Sequence, residues 1–271
     1  MTTRMKYNYR TLFFFLTFLF LSNPTNRLYA SDLSERGLHL IPYPQQVKVG
    51  GPDFTFKNEL TIILDRNHSD SDYFTAQELI RDLKNDWNIM AKTGVRGNNP
   101  CIILTRHCTL KSLKEQGYQI TAKKGELQIM ANGEEGLFYG TQTLLQLIQK
   151  NSNGYNIPGL TITDWPDIMN RAIHYDTKHH QDKASYVKSF VKDLARYKVN
   201  MLVWEWEDKF AYPSHPEIGA PGAFTLSEMQ EFTRYAKQYH IQIVPLVQGL
   251  GHVSFILKWP QYKHLREIES S

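Results

Sequence analysis

A pentapeptide of aromatic and acidic residues, Trp204-Glu205-Trp206-Glu207-Asp208, ends an apolar run in the last third of the chain. If the run is a strand, alternation places the two glutamates on one face and the tryptophans with Asp208 on the other. Indole rings cover the apolar face of a sugar, and carboxylates accept hydrogen bonds from its hydroxyls. The segment therefore suits carbohydrate binding. The alternative, in which the tryptophans belong to a core and the acids are solvated, stays open.

A second polar turn, Gln248-Gly249-Leu250-Gly251-His252, follows the apolar run Ile241–Val247. The two glycines allow the backbone to come close to a ligand, and His252 lies at the rim. An imidazole there can hydrogen-bond a hydroxyl or position a catalytic carboxylic acid. The alternative is a histidine that caps the following helix.

A third turn, Asp176-Thr177-Lys178-His179-His180, closes the run Arg171–Asp176. Adjacent histidines on an extended segment point in opposite directions, and no further ligand follows at metal spacing. The chain also has neither a phosphate-binding glycine loop nor a Gly-x-Ser-x-Gly elbow. We therefore expect no metal and no cofactor.

Amphipathic helices separate the three strand-like runs, which are Arg171–Asp176, Asn200–Trp206 and Ile241–Val247. The second helix opens on a capping box, Thr225 with Glu228. This order predicts right-handed βαβ units of a parallel β/α barrel, whose active sites lie at the carboxyl ends of the strands. Three units cannot close eight strands. Residues 165–271 are therefore predicted to form an incomplete (β/α)8 TIM barrel with an exposed edge and an apolar wall.

Residues 31–164 show a different pattern, with short strands and two amphipathic helices. The strands are predicted at Leu60–Leu64, Cys101–Leu104, Tyr118–Thr121 and Leu127–Met130. One helix carries Ala76, Leu79, Ile80, Leu83 and Trp87 at helical spacing, and the other carries Leu137, Leu144, Leu145 and Ile148. Mixed strands with two helices on one side indicate an α+β module.

Residues 1–30 have the form of a secretory signal peptide, with basic residues, the apolar run Leu12–Leu21 and a cleavage point after Ala30. The run is shorter than the roughly 20 apolar residues of a membrane span. We expect a secreted or periplasmic protein without a stable membrane span, and an uncleaved anchor is the alternative. The leader holds four basic residues and no acidic one, which leaves 27 of each sign in the rest of the chain. A formally neutral chain predicts no nucleic-acid partner.

Several motifs together resemble the start of glycoside hydrolase family 20, the β-N-acetylhexosaminidases. The segments similar to the family's small α+β domain are Ile41-Pro42-Tyr43-Pro44-Gln45-Gln46-Val47 and Glu135–Leu147. The barrel is matched at Arg171 with Asp176, at Lys198-Val199-Asn200 and at Gly251-His252. The resemblance implies a zincin-like family 20 domain 2 followed by a catalytic barrel. It also implies a glycan or glycoconjugate with a terminal N-acetylhexosamine as the partner, and it leaves the oligomeric state open.

The resemblance further implies roles for single residues. Arg171 is similar to an arginine that clamps hydroxyls of the terminal sugar, while Asp208 and His252 match an acid and a histidine that support the catalytic acid. The other substrate-binding candidates are Asp176, Trp204, Glu205, Trp206 and Gln248. The chain departs from the family pattern at His179, where an arginine is usual, at Glu205, where a histidine is usual, and along Pro245–Gly251.

Family members cleave by substrate assistance, in which the acetamido oxygen of the sugar attacks the anomeric carbon. An adjacent Asp-Glu pair after the fourth strand orients that group and supplies the general acid. No Asp-Glu dipeptide occurs in these 271 residues. We therefore expect a β-N-acetylhexosaminidase-type chain that is a fragment and inactive alone, with no catalytic residue of its own. The alternatives are a non-hydrolytic carbohydrate-binding or scaffolding protein, and a related barrel glycosidase with a similar accessory domain.

Overall fold

A computed structural model describes residues 33–96, 100–108 and 110–268, so the leader predicted at 1–30 lies outside the described residues. The strands are β1 (Gln46–Val49), β2 (Phe54–Phe56), β3 (Glu59–Leu64), β4 (Met90–Thr93), β5 (Cys101–Thr105), β6 (Tyr118–Lys123), β7 (Glu126–Ala131), β8 (Gln149–Asn151), β9 (Gly154–Ile157), β10 (Leu160–Asp164), β11 (Ala172–Asp176), β12 (Met201–Glu205) and β13 (Gln242–Leu246). The α-helices are α1 (Asp70–Trp87), α2 (Glu134–Leu147), α3 (Ala184–Arg196), α4 (Leu226–Gln238) and α5 (Ser254–Leu257).

The first part of the chain is built on a seven-stranded sheet in the order β1-β10-β6-β7-β5-β3-β4. The pairs β7-β5, β5-β3 and β3-β4 are parallel, whereas β1-β10, β10-β6 and β6-β7 are antiparallel. A small antiparallel sheet, β2-β9-β8, lies beside it. The four strands predicted in this region are confirmed, each within two residues of its predicted ends.

Helices α1 and α2 pack on each other and on the seven-stranded sheet. A capping box begins α1, because the Ser69 side chain accepts from the Asp72 amide while the Asp72 side chain accepts from the Ser69 amide. Helix α2 comes very close to β7, since a Cβ at Gly140 would lie 2.4 Å from the Ile129 side chain. The mixed α/β character predicted for residues 31–164 is confirmed.

The second part of the chain contains a parallel sheet of three strands in the order β11-β12-β13. Helix α3 connects the first two strands and α4 the last two, and the two helices pack on each other. The Thr225–Glu228 capping box predicted for α4 is confirmed. The Trp204 ring fills the space under the helices, where it contacts Tyr175, Phe224 and Phe232.

The opposite face of the parallel sheet is open in the described part of the chain. Its central residue Val203 is half-buried, and His174 and Gln242 are exposed. Parallel sheets in other proteins are covered on both faces. The apolar wall and the closure into a barrel both stay predictions.

The two parts share one hydrophobic core and a buried polar contact. Lys198, which precedes β12, donates from Nζ to Asp164 Oδ2 over 2.9 Å and to the Tyr118 hydroxyl over 2.7 Å. Burial lowers the pKa of Lys198 and raises that of Tyr118. This network fixes the parallel sheet against β6 and β10. None of the described helices is both long and apolar enough to cross a bilayer.

Candidate glycan-binding site

The candidate site lies at the carboxyl end of β12, the middle strand of the parallel sheet. Glu205 is the last residue of that strand and is completely buried. Its backbone carbonyl accepts hydrogen bonds from the Thr177 amide and hydroxyl, both at 3.0 Å, which tie the end of β12 to the turn after β11. The carboxylate points away from the helices, on the same face as His174 and Asp176.

Three side chains from the neighbouring strands and turns surround the Glu205 carboxylate. His174 Nε2 on β11 lies 2.8 Å from Oε2. Gln248, from the turn after β13, donates from Nε2 to Oε1 over 2.6 Å, and Lys178 Nζ lies 3.2 Å from the same oxygen. Glu205 thus connects the ends of all three strands through one buried group.

The charge of Glu205 is stabilised by these donors. Burial raises the pKa of Glu205, but the hydrogen bonds from Gln248, Lys178 and His174 together outweigh burial and hold the pKa below its usual value. Removal of one donor would leave a buried carboxylate short of partners, which is costly. The arrangement therefore holds the three donor side chains in fixed positions around Glu205.

Lys178 forms a second ion pair, with Asp176. Its Nζ lies 3.1 Å from Asp176 Oδ2, while its backbone amide donates to Oδ1 over 3.0 Å. The hydrogen bond to Asp176 and, to a smaller extent, the hydrogen bond to Glu205 raise the pKa of Lys178, so the ammonium stays charged at neutral pH. A donor and an acceptor consequently stand side by side at the rim of the sheet.

The turn after β12 brings two more carboxyl groups to this rim. Glu207 begins a short 3-10 helix, Glu207–Lys209, with a φ of +42° that non-glycine residues rarely adopt. Burial raises the pKa of Glu207, and the nearby carboxylates of Glu205, Asp208 and Asp176 add to the rise against the effect of Lys178. Asp208 forms an ion pair with Lys209.

The turn after β13 is more open. Gln248 is half-buried against Glu205, and His252 is exposed with a φ of +52°. His252 does not cap the next helix, because the N-cap residue of α5 is Val253 and that cap has no side-chain hydrogen bond. No hydrogen bond or ion pair joins His252 to Asp208 in the part of the chain that the structure describes, so their joint role stays a prediction. The described residues also contain no group of three His, Cys, Asp or Glu side chains that could hold a metal ion.

Comparison with known proteins shows what the chain is similar to. Residues 37–165 match glycosyl hydrolase family 20, domain 2. A β-hexosaminidase of Porphyromonas gingivalis is 24% identical over 255 residues, which cover 84% of this chain and 32% of that protein. Hexosaminidase D of Homo sapiens is 34% identical over 101 residues, or 37% of this chain and 21% of that protein.

A solved β-hexosaminidase structure is also similar to this chain. A Streptomyces plicatus β-hexosaminidase mutant in complex with the product N-acetylglucosamine has a TM-score of 0.71 and 25% identity to this chain, and the match covers 80% of this chain and 47% of that one. Together these matches support the amino-terminal portion of a glycoside hydrolase family 20 hexosaminidase. The chain spans less than half the length of each of these relatives.

The position of Arg171 does not support the sugar-clamping role implied by the family 20 resemblance. Arg171 precedes β11 and so lies at the opposite end of the strand from Glu205. Its guanidinium donates to Lys198 O over 2.7 Å and to Gln116 Oε1 over 2.8 Å, and it stacks over the Tyr139 ring. These contacts hold Arg171 between the two parts of the chain, and its clamping role stays a prediction.

Two other predicted substrate-binding residues are corrected by their burial. Trp204 is completely buried on the helix side of the sheet, and its indole donates to the Thr177 hydroxyl over 3.2 Å, so it has no surface for a sugar. Glu205 faces the site, but its burial leaves it no direct contact with a ligand, and it holds the neighbouring donors instead. The core alternative is therefore correct for Trp204. Trp206 is half-buried against Phe210.

The structure brings Asp176, Glu205 and Gln248 together, and it adds two residues that the sequence interpretation missed. His174 could have been found, because alternation along β11 places it on the same face as Asp176. Lys178 lies within a turn that we considered only for metal binding. Its contact with Glu205 crosses between two strands, and no local pattern signals such a contact.

Proposed function

We propose that this chain forms the accessory domain and the first part of the catalytic barrel of a β-N-acetylhexosaminidase-type glycoside hydrolase. In this proposal residues 31–164 are the α+β domain and residues 165–271 provide three βα units. The open face of β11-β12-β13 then becomes the inner wall of a barrel that further strands complete. Its central polar cluster would lie at the barrel mouth, where enzymes of this architecture bind their substrates.

The single observation that carries the proposal is the Glu205 network at the carboxyl ends of three parallel strands. It holds a charged donor, a charged acceptor and an amide around one buried carboxylate. Sugar hydroxyls are both donors and acceptors, so a fixed set of both kinds suits a carbohydrate. Terminal β-linked N-acetylhexosamine is the proposed substrate class, supported by the N-acetylglucosamine bound to the Streptomyces plicatus relative.

Hydrolysis by this chain alone is expected to be negligible. In the proposed substrate-assisted mechanism the acetamido oxygen is the nucleophile, and the Asp-Glu pair that orients it and protonates the leaving group does not occur in the 271 residues. General acid–base catalysis contributes about 10²- to 10⁴-fold to the rate. We propose that the chain binds the sugar through the cluster and needs further residues for cleavage.

A non-hydrolytic carbohydrate-binding role is the second candidate, and the missing dipeptide favours it. Both functions need the same polar cluster, so sugar binding alone does not separate them. The leader at 1–30 supports export to the periplasm or the exterior in either case, where glycans are accessible.

The test uses the purified chain with two sugars and one chromogenic substrate. We expect N-acetylglucosamine to shift amide signals near Glu205 in NMR spectra, with a dissociation constant on the order of millimolar. Glucose, which has the ring hydroxyls but lacks the acetamido group, measures how much that group contributes to binding. A chromogenic N-acetyl-β-glucosaminide should show no turnover above a blank without protein. Absence of any N-acetylglucosamine binding would contradict the proposed function, and clear turnover would contradict the predicted inactivity.

A further inference from the structure

The ammonium group of Lys178 is the most unusual feature of the site. Two carboxylates hold it, Asp176 at 3.1 Å and Glu205 at 3.2 Å, and 18% of the Lys178 side chain remains exposed. A lysine ammonium has three N–H donors. The structure provides two acceptors for them among the described residues, which leaves one donor for a ligand.

Asp176 adds an acceptor next to that donor. Its side chain is 39% exposed although both of its oxygens contact Lys178, one through Nζ and the other through the backbone amide. A carboxylate has about four lone-pair sites, so acceptor capacity remains at the exposed side. An ammonium donor and a carboxylate acceptor in contact match two neighbouring hydroxyls of a pyranose ring.

We propose that Lys178 and Asp176 bind a pair of adjacent sugar hydroxyls, with Lys178 as donor and Asp176 as acceptor. Lys178 is then a residue that determines which sugars bind. The inference rests on the proposed function, because it takes the ligand of this site to be a sugar. Glu205 does not touch the ligand and acts as a positioning residue, since its buried carboxylate fixes the ammonium through Oε1.

The first test compares Lys178→Met with the wild-type chain in NMR titrations with N-acetylglucosamine. Methionine keeps most of the side-chain volume and removes the charge and the donors. We expect at least a tenfold weaker affinity, and partial recovery in Lys178→Arg, which restores a cation with donors. Lys188→Met is the matched control, because Lys188 pairs with Glu231 on the outer helices and its loss should leave binding unchanged.

The second test varies the sugar. N-acetylglucosamines that lack one ring hydroxyl should include at least one that binds the wild-type chain about tenfold more weakly, and Lys178→Met should not discriminate against that sugar. Equal binding of all the deoxy sugars, or equal affinities of Lys178→Met and wild type, overturns this inference and leaves the proposed function intact. Failure of the wild type to bind N-acetylglucosamine overturns both.

Discussion

The seven-stranded sheet and the three-stranded parallel sheet differ in how completely their strands are buried. In the first, the adjacent strands β6 and β7 each bury every second residue. In the second, β12 has three buried residues, whereas β11 has one and β13 has none. Both sheets have amphipathic helices on one side, so local pattern does not explain the difference. The parallel sheet lacks partners on its open face in the described chain.

This difference separates two kinds of contact. Contacts on the helix side of the parallel sheet come from α3 and α4, which are close in sequence to the strands that they cover. Contacts with the first part of the chain come from distant residues, such as Asp164 and Tyr118 with Lys198. We infer that the parallel sheet depends on these distant contacts for its position, and its open face contributes little to stability. We make four predictions from this difference, beginning with the largest expected effect.

The largest effect is expected from Lys198→Met, which breaks the buried ion pair between the two parts. Asp164 would remain in the interior without its cation, and such a loss costs about 3–5 kcal/mol in the free energy of unfolding. Urea denaturation followed by fluorescence measures it. Lys188→Met, at an exposed ion pair, is the control and should cost about 0–1 kcal/mol. A cost for Lys198→Met as small as that of the control would show that the parallel sheet holds its position without the buried pair.

The second prediction compares two adjacent residues on opposite faces of β12. Leu202 is completely buried under the helices, so Leu202→Ala should cost about 2–5 kcal/mol. Val203 is half-buried on the open face, and Val203→Ala should cost about 1 kcal/mol or less. Urea denaturation of both variants provides the comparison. Costs of similar size would mean that something covers the open face in solution.

The same distinction explains what could be predicted from the sequence. Strand β13 was predicted at Ile241–Val247 and is observed at Gln242–Leu246, because apolar runs and turns are local signals. The α4 cap was predicted for the same reason. The contacts of Arg171 could not be predicted, because its partners Gln116 and Lys198 are distant in sequence.

The site was predictable in location but not in detail. The polar turns after three parallel strands indicated the correct edge of the sheet. The burial of Glu205 and Trp204 depends on strand order and on the side chains that cover them. Their residue types alone, one acidic and one aromatic, led to the prediction that both bind substrate. Lys178 was missed because its function depends on two carboxylates, one of which belongs to the next strand.

The third prediction concerns the pH dependence of the contact between α4 and the first part of the chain. Burial lowers the pKa of His240, against the attraction of Glu135, Glu134 and Asp72. As the pH is lowered through the unfolded-state pKa of about 6.5, the unfolded chain therefore binds more protons than the folded chain. The free energy of unfolding decreases by at most about 1.4 kcal/mol for each pH unit of acidification from this group. His240→Asn should flatten the stability profile between pH 7 and pH 5.

His252→Asn is the matched control for this measurement. Both histidines have a positive φ, 58° at His240 and 52° at His252, and asparagine tolerates that conformation. His252 is exposed, so its replacement removes no buried contact. Equal profiles for His240→Asn and the wild type would contradict a contribution of His240 to the domain contact.

The smallest effects are expected at the two capping boxes, one in each part of the molecule. Thr225→Ala removes the cap of α4 and should cost about 1 kcal/mol in unfolding free energy. Ser69→Ala removes the equivalent cap of α1, and it also removes the 2.7 Å hydrogen bond from Ser69 Oγ to Glu134 on α2. Because Ser69 connects two helices, we expect its replacement to cost more than that of Thr225. If Thr225→Ala costs as much or more, the helices of the parallel sheet depend on their own local signals more strongly than those of the first part.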